Sequence, residues 1–186
     1  LEPYDSLLIK LGSNGAPKRE KFSGASEYVD TAVGYTLSEE NPLVLDFAEY
    51  SFDGENFFPR EYILKISDIC KKHFGYLTDS YIKHEKVFTK PWIWKKSEIT
   101  EHTVTLKFKI ESEIEVCNPH FACEEIGELY LNGKKTELTE DGYFCDRAIK
   151  RYRIPNLKKG TNEIIVKMPF SIVYGLGNCY LEGNFG

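Results

Sequence analysis

The clearest order in this chain is an alternation of apolar and polar positions. In "TVTLKFKI", Val104, Leu106, Phe108 and Ile110 alternate with Thr105, Lys107 and Lys109. A period of two places one set on each face of an extended strand. Ile114 and Val116 keep the same parity, which leaves two alternatives: one long strand, or a bend at Ser112 with a second strand beyond it. The alternation returns in "NEIIVKM" through Ile164, Val166 and Met168, after a Lys-Gly-Thr-Asn turn. Between these runs, "GELYLNGKKTEL" reads as a hairpin. Leu129 and Leu131 face one way, and Asn132-Gly133 tolerates the positive φ angles of a type I′ turn.

Upstream, "NPLVLDFAEYSF" begins as an apolar run, continues as alternation and is halted at Asp53-Gly54, a two-residue hairpin signal. "FFPREYILKI" is the expected returning strand, with Pro59 suited to an edge or a strand start. "SDICKKHFG" is the helix candidate, and no other segment competes with it. Ser67 suits the N-cap, Asp68 the positive first turn and Gly75 the stop. Residues 1–40 are rich in Gly, Ser and charge, so an irregular segment is expected there, with "LLIKLG" as a candidate strand.

Short strands at intervals of roughly ten residues, almost without helix, predict an all-β antiparallel sandwich over residues 41–186. Composition agrees. Aromatic residues make up 14% of the 186, with 12 Tyr and 12 Phe against one Met, and 41% of the chain is hydrophobic. That is enough apolar material for a substantial core, weighted toward residues that fit strands. A net charge of -5 argues against a broad basic surface for nucleic acid, and no apolar run has the length of a membrane span. The chain begins at Leu1 and ends within a strand-like run, "CYLEGNFG", so it reads as a piece of something longer.

Cys70, Cys117, Cys123, Cys145 and Cys179 are odd in number and irregular in spacing. That pattern fits buried free thiols and a reducing environment better than a disulfide framework or a zinc site. The four histidines, His73, His84, His102 and His120, have no paired metal-ligand spacing. A Cys–His nucleophile pair, for example Cys117 or Cys123 with His120, would need an orienting third group, and such pairs are usually distant in sequence. "DGEN", Asp53 to Asn56, lacks the oxygen-ligand spacing of a calcium loop. No metal and no cofactor is expected.

Taken in order, "TVTLKFKI", "ELYLNGKK" and "YRIPNLKKGTNEIIVKM" resemble the galactose-binding-like jelly roll, the sugar-binding domain of family 2-type glycoside hydrolases. The residues carrying the likeness are Asn132, Gly133, Lys134, Ile154, Pro155, Leu157, Lys158, Gly160 and Asn162, followed by Ile164 and Val166. "NPLVLDFAEYSFDGENF" and "YLEGNFG" are similar to segments of large bacterial proteins of glycoside hydrolase type. The resemblance implies a jelly-roll accessory domain within a larger hydrolase, whose catalytic carboxylates would sit in another domain. It transfers no active site, and fold alone does not settle function.

The acidic residues offer no pair that sequence can place at the separation of about 5–10 Å used by glycosidases. Glu124 and Glu125 would point oppositely in a strand. No catalytic residue is therefore assigned. For carbohydrate contact the candidates are Trp92, Trp94 and Tyr143. In extended "KPWIWKK" the two indoles share one face, as a platform for sugar rings or as part of the core. Tyr143 follows Asp141-Gly142, read as a turn that puts it at a loop tip. The expected partners are carbohydrate, bound weakly, and neighbouring domains of a parent chain, without nucleic acid or membrane. The alternatives are a domain-bracing module without sugar affinity and, with less support, a small hydrolase.

Overall fold

A computed structural model describes residues 38–76, 100–171 and 175–185, all within one compact unit, Leu37–Gly186. The candidate strand in "LLIKLG" and both tryptophans lie outside these residues. The elements are β1 (Asn41–Leu45), β2 (Phe47–Ser51), β3 (Phe58–Tyr62), α1 (Ile63–His73), β4 (His102–Ser112) and β5 (His120–Cys123). They continue with β6 (Glu128–Leu131), β7 (Lys134–Thr136), β8 (Thr139–Phe144), β9 (Asp146–Arg153), β10 (Gly160–Phe170) and β11 (Cys179–Gly183).

The fold is an all-β sandwich. A five-stranded antiparallel sheet, β1-β11-β5-β9-β8, faces a six-stranded one, β3-β2-β4-β10-β6-β7. Alternation decides what lies between them. On β4, Val104, Leu106, Phe108 and Ile110 are buried, and on β10 so are Ile164, Val166, Met168 and Phe170. From the other sheet come Phe121, Leu181, Tyr152 and the two thiols of Cys123 and Cys179. The rings of Phe108 and Phe121, one from each sheet, have centroids 6.4 Å apart. Burying this apolar set is the main force holding the sheets face to face.

The hairpin of β6 and β7 turns at Asn132 (φ 50°) and Gly133 (φ 78°), two consecutive positive angles as a type I′ turn requires. Fully buried Asn162 binds this hairpin to the turn before β10. Its Oδ1 accepts from Asn132 Nδ2 and from the Lys158 backbone N–H, both at 3.1 Å. Its Nδ2 donates to the carbonyls of Lys158 at 2.7 Å and Gly160 at 3.1 Å. The "LKKGTN" passage is thus held by a side chain that satisfies its donors and acceptors away from water.

Three local expectations are corrected. Asp53-Gly54 is not a two-residue hairpin, because residues 52–57 form a longer loop between β2 and β3. Asp53 organises it: Oδ1 accepts from the Ser51 hydroxyl and the backbone of Glu55 and Asn56, and Oδ2 accepts from Asn56 Nδ2. The helix starts at Ile63 rather than after Ser67, which shortens the returning strand to Phe58–Tyr62. Ile63, Ile66, Ser67 and Cys70 follow helical spacing and form its buried face. Ser67 is mid-helix, and its hydroxyl accepts the backbone N–H of Leu176 at 3.2 Å. Gly75, at φ 74°, does end the helix as expected. Beyond β4 the chain bends: the Ser112 hydroxyl donates to the Ile114 carbonyl, Ile114 is exposed, and Val116 makes an isolated bridge to Leu157.

Candidate functional site

In the five-stranded sheet, one register row runs Leu181–Phe121–Tyr152 and points into the core. The next row, Glu182–His120–Arg153, must therefore point outward. His120 and Glu182 are nonetheless each only 5% exposed, because polar side chains cover them. Glu40, just before β1, places Oε2 2.9 Å from His120 Nδ1. Asp141 places Oδ2 3.0 Å from Nε2. Arg153 donates to that same oxygen at 2.8 Å, and Arg151 donates to Glu40 Oε2 at 3.1 Å.

Asp141 reaches His120 because of a bulge. Glu140 opposes Tyr152 and Tyr143 opposes Lys150, so Asp141 and Gly142 together face Arg151 alone. Gly142 adopts φ 84°, the left-handed geometry that lets one strand absorb an extra residue and re-aim a side chain. Asp141-Gly142 is thus a bulge inside β8 rather than a turn. Tyr143 is not at a loop tip but within that edge strand, where it is 52% exposed. The tight connection comes later, at Cys145 (φ 56°).

The geometry assigns one imidazole proton. Nε2 faces only an acceptor, Asp141, so it carries hydrogen. Nδ1 faces both Glu40 and the Arg151 guanidinium, whose Nη2 is 3.0 Å away. A neutral ring accepts from Arg151 there; an imidazolium donates to Glu40. Arg153 and His120 together hold the Asp141 carboxyl below the usual carboxylate range. Burial pushes Glu182 the other way, above that range, although Arg151 opposes the shift. Arg151 Nε lies 3.2 Å from Glu182 Oε2 without hydrogen-bond alignment, so the pair attracts by charge alone.

An open groove of about 690 Å³ runs beside this cluster, lined by Lys135, Thr139, Glu140, Asp141, Arg153 and Ile154, among others. Asp141 and Arg153 are the cluster members that meet it. Glu182, the one carboxyl shown with a raised pKa among the described residues, does not line it. The arrangement is a fixed donor–acceptor edge, with its exposed pair braced from behind.

Sequence reasoning did not single out this set. His120 entered only as one of four scattered histidines and as a possible partner of Cys117 or Cys123, and Arg151 and Arg153 carried no reading. The available signal was "RYR", two arginines on one strand face. The Cys–His possibility fails on parity: Cys123 faces the core while His120 faces out, and the ring nitrogens of His120 are engaged by Glu40, Asp141 and Arg151. Cys117 is exposed, with its sulfur 3.8 Å from Asn156 Nδ2. Glu124 and Glu125 are exposed and Trp92 and Trp94 lie outside the described residues. Among the described residues, no group of three or more His, Cys, Asp or Glu is placed to hold a metal, and no helix is long and apolar enough to cross a membrane. Comparison with family models, curated proteins and solved structures returns no match.

Proposed function

We propose that this sandwich is a non-catalytic, carbohydrate-contacting accessory domain of a larger glycoside hydrolase-like protein, with the groove beside Asp141 and Arg153 as its contact surface. The single supporting observation is the Asp141–Arg153 pair, a carboxylate and a guanidinium 2.8 Å apart, braced by His120 and bordering an open groove. Sugar hydroxyls donate and accept at neighbouring positions, and such a pair offers both functions in one rigid frame. The strand order, in which β4 lies beside β10 and β1 beside β11, is compatible with the crossovers of a jelly roll. Trp92 and Trp94 remain candidates for stacking on sugar rings and lie outside the described residues.

An open polar groove must displace well-bonded water, so affinity is expected in the micromolar-to-millimolar range. Affinity electrophoresis against a panel of soluble polysaccharides tests the idea. Retardation by at least one glycan, abolished by Arg153→Ala, is expected; Arg153 is 62% exposed, so the variant should fold. Silence across the panel, or retardation indifferent to both Arg153→Ala and Asp141→Ala, would overturn it.

A second reading is domain bracing. It is favoured by Leu43, Val44 and Phe47, all exposed, which line a common groove with Arg60 where β1 passes into β2. Under that reading the glycan panel is silent, and binding of an apolar dye to the isolated domain is lost on Phe47→Glu.

A further inference from the structure

Cys123 ends β5 and Cys179 begins β11, and these strands are neighbours in the five-stranded sheet. Their antiparallel ladder pairs His120 with Glu182, Phe121 with Leu181 and Ala122 with Tyr180. Continued by one step, that register would set Cys123 opposite Cys179, and the two thiols are in contact. Both share parity with the inward Phe121 and Leu181, and both are fully buried free thiols. Directly opposed residues of such a ladder have Cα atoms about 4.5 or 5.5 Å apart. Either spacing falls in the window of about 4.4–6.8 Å that a disulfide spans.

We propose that Cys123 and Cys179 are a disulfide-forming pair, joined by exchange with a low-molecular-weight disulfide such as oxidised glutathione. One cysteine thiolate attacks the small disulfide, forming a mixed disulfide and expelling one small thiolate. The second cysteine thiolate attacks the protein sulfur of that mixed disulfide and expels the other. Two protein S–H groups are lost, the small disulfide is reduced to two thiols, and the two protons leave with them.

The structure also fixes when this happens. Contact with Cys123 and burial hold the Cys179 thiol well above the ordinary thiol range. Exchange needs a thiolate and access, so the native sheet protects the reduced pair. The bond therefore forms while the chain folds, or during transient opening. Cys117 and Cys145 are exposed, and Cys70 is buried on α1, so none of the three stands in this ladder. The proposal is independent of any sugar affinity.

The test is refolding of the reduced, denatured chain in a glutathione redox buffer, then alkylation under denaturing conditions and peptide mass mapping. The expected product is one cross-linked peptide pair containing Cys123 and Cys179, lighter by two hydrogens, with Cys70, Cys117 and Cys145 alkylated. The same buffer added to the folded, reduced chain should give that product far more slowly. Full alkylation of both residues after refolding would overturn the proposal, as would links scattered among all five cysteines. In Cys123→Ala, Cys179 should be recovered alkylated; its capture by Cys117 or Cys145 would mean that proximity in the ladder does not choose the partner. The wild-type mapping stands alone if that variant fails to fold.

Discussion

Replacing Asn162 by leucine removes the side chain that joins the β6–β7 hairpin to the turn before β10. The substitution keeps approximate size and deletes four hydrogen bonds, those with Asn132, the Lys158 amide, the Lys158 carbonyl and the Gly160 carbonyl. At about 0.5–1.5 kcal/mol net for each bond, the loss lies between roughly 2 and 6 kcal/mol. The released groups differ in their access to water: Lys158 is exposed and Gly160 partly so, whereas Asn162 itself is fully buried. Partial rehydration places the expected cost near 3–4 kcal/mol, a large share of the roughly 5–15 kcal/mol typical of a domain. Urea unfolding followed by intrinsic fluorescence measures it. With a slope of about 2 kcal/mol per molar urea, the midpoint should fall by roughly 1.5–2 M at unchanged slope. A fall below about 0.5 M would refute the claim that this amide, rather than generic packing, fixes the turn. Asn162→Asp supplies the control. It keeps the acceptor oxygen but sets a carboxylate against two carbonyls, so it should be severely destabilised near neutral pH and partly recover in acid, where a protonated carboxyl can donate.

Stability should also respond to acid through several surface carboxylates. Asp53, stabilised first by the Asn56 amide and then by loop backbone N–H groups, sits well below its ordinary range, and Glu128, held by Lys135, Lys167 and Tyr130, is lowered to about 2. Their folded values lie below the unfolded ones, so their contribution is present above about pH 4 and lost as pH falls toward about 2; thermal midpoints across that window check it. Glu182 has the opposite sign. Its raised value favours folding at low pH and loses that benefit as pH rises, so Glu182→Gln should gain stability relative to the parent as pH rises above the ordinary glutamate range, checked by thermal midpoints of both chains. Gly183→Ala would place a Cβ 2.8 Å from Val116 Cγ1 and 3.1 Å from the Phe185 ring, costing about 1–3 kcal/mol in urea unfolding. The oxidised Cys123–Cys179 form closes a loop of roughly 60 residues and should be more stable than the reduced form by up to about 4 kcal/mol, measured with and without reductant.

The strands of the back half were legible because their signal is local. Alternation through Val104–Ile110 and Ile164–Met168, and the Asn132-Gly133 corner, each need only their own neighbours to be read. Asp53-Gly54 and Asp141-Gly142 carry comparable turn chemistry, yet one became part of a six-residue loop and the other a strand bulge. A dipeptide that tolerates positive φ permits a turn, a loop or a bulge, and the pairing of the flanking strands selects among them. α1 was misplaced for a related reason. Ser67 is an acceptable cap in isolation, but a buried face through Ile63, Ile66 and Cys70 gains more from starting the helix one turn earlier.

Sequence by itself determined the class of this protein: residue type and a period of two force paired strands with one apolar face, and two such faces must bury one another. What only the tertiary structure decided is which distant residues meet. His120 finds Glu40 and Asp141, and the Cys123 thiol meets that of Cys179, through strand order and register. Those depend on the packing of the whole sandwich, since a slip of one residue would exchange every inward and outward side chain while leaving the local pattern unchanged.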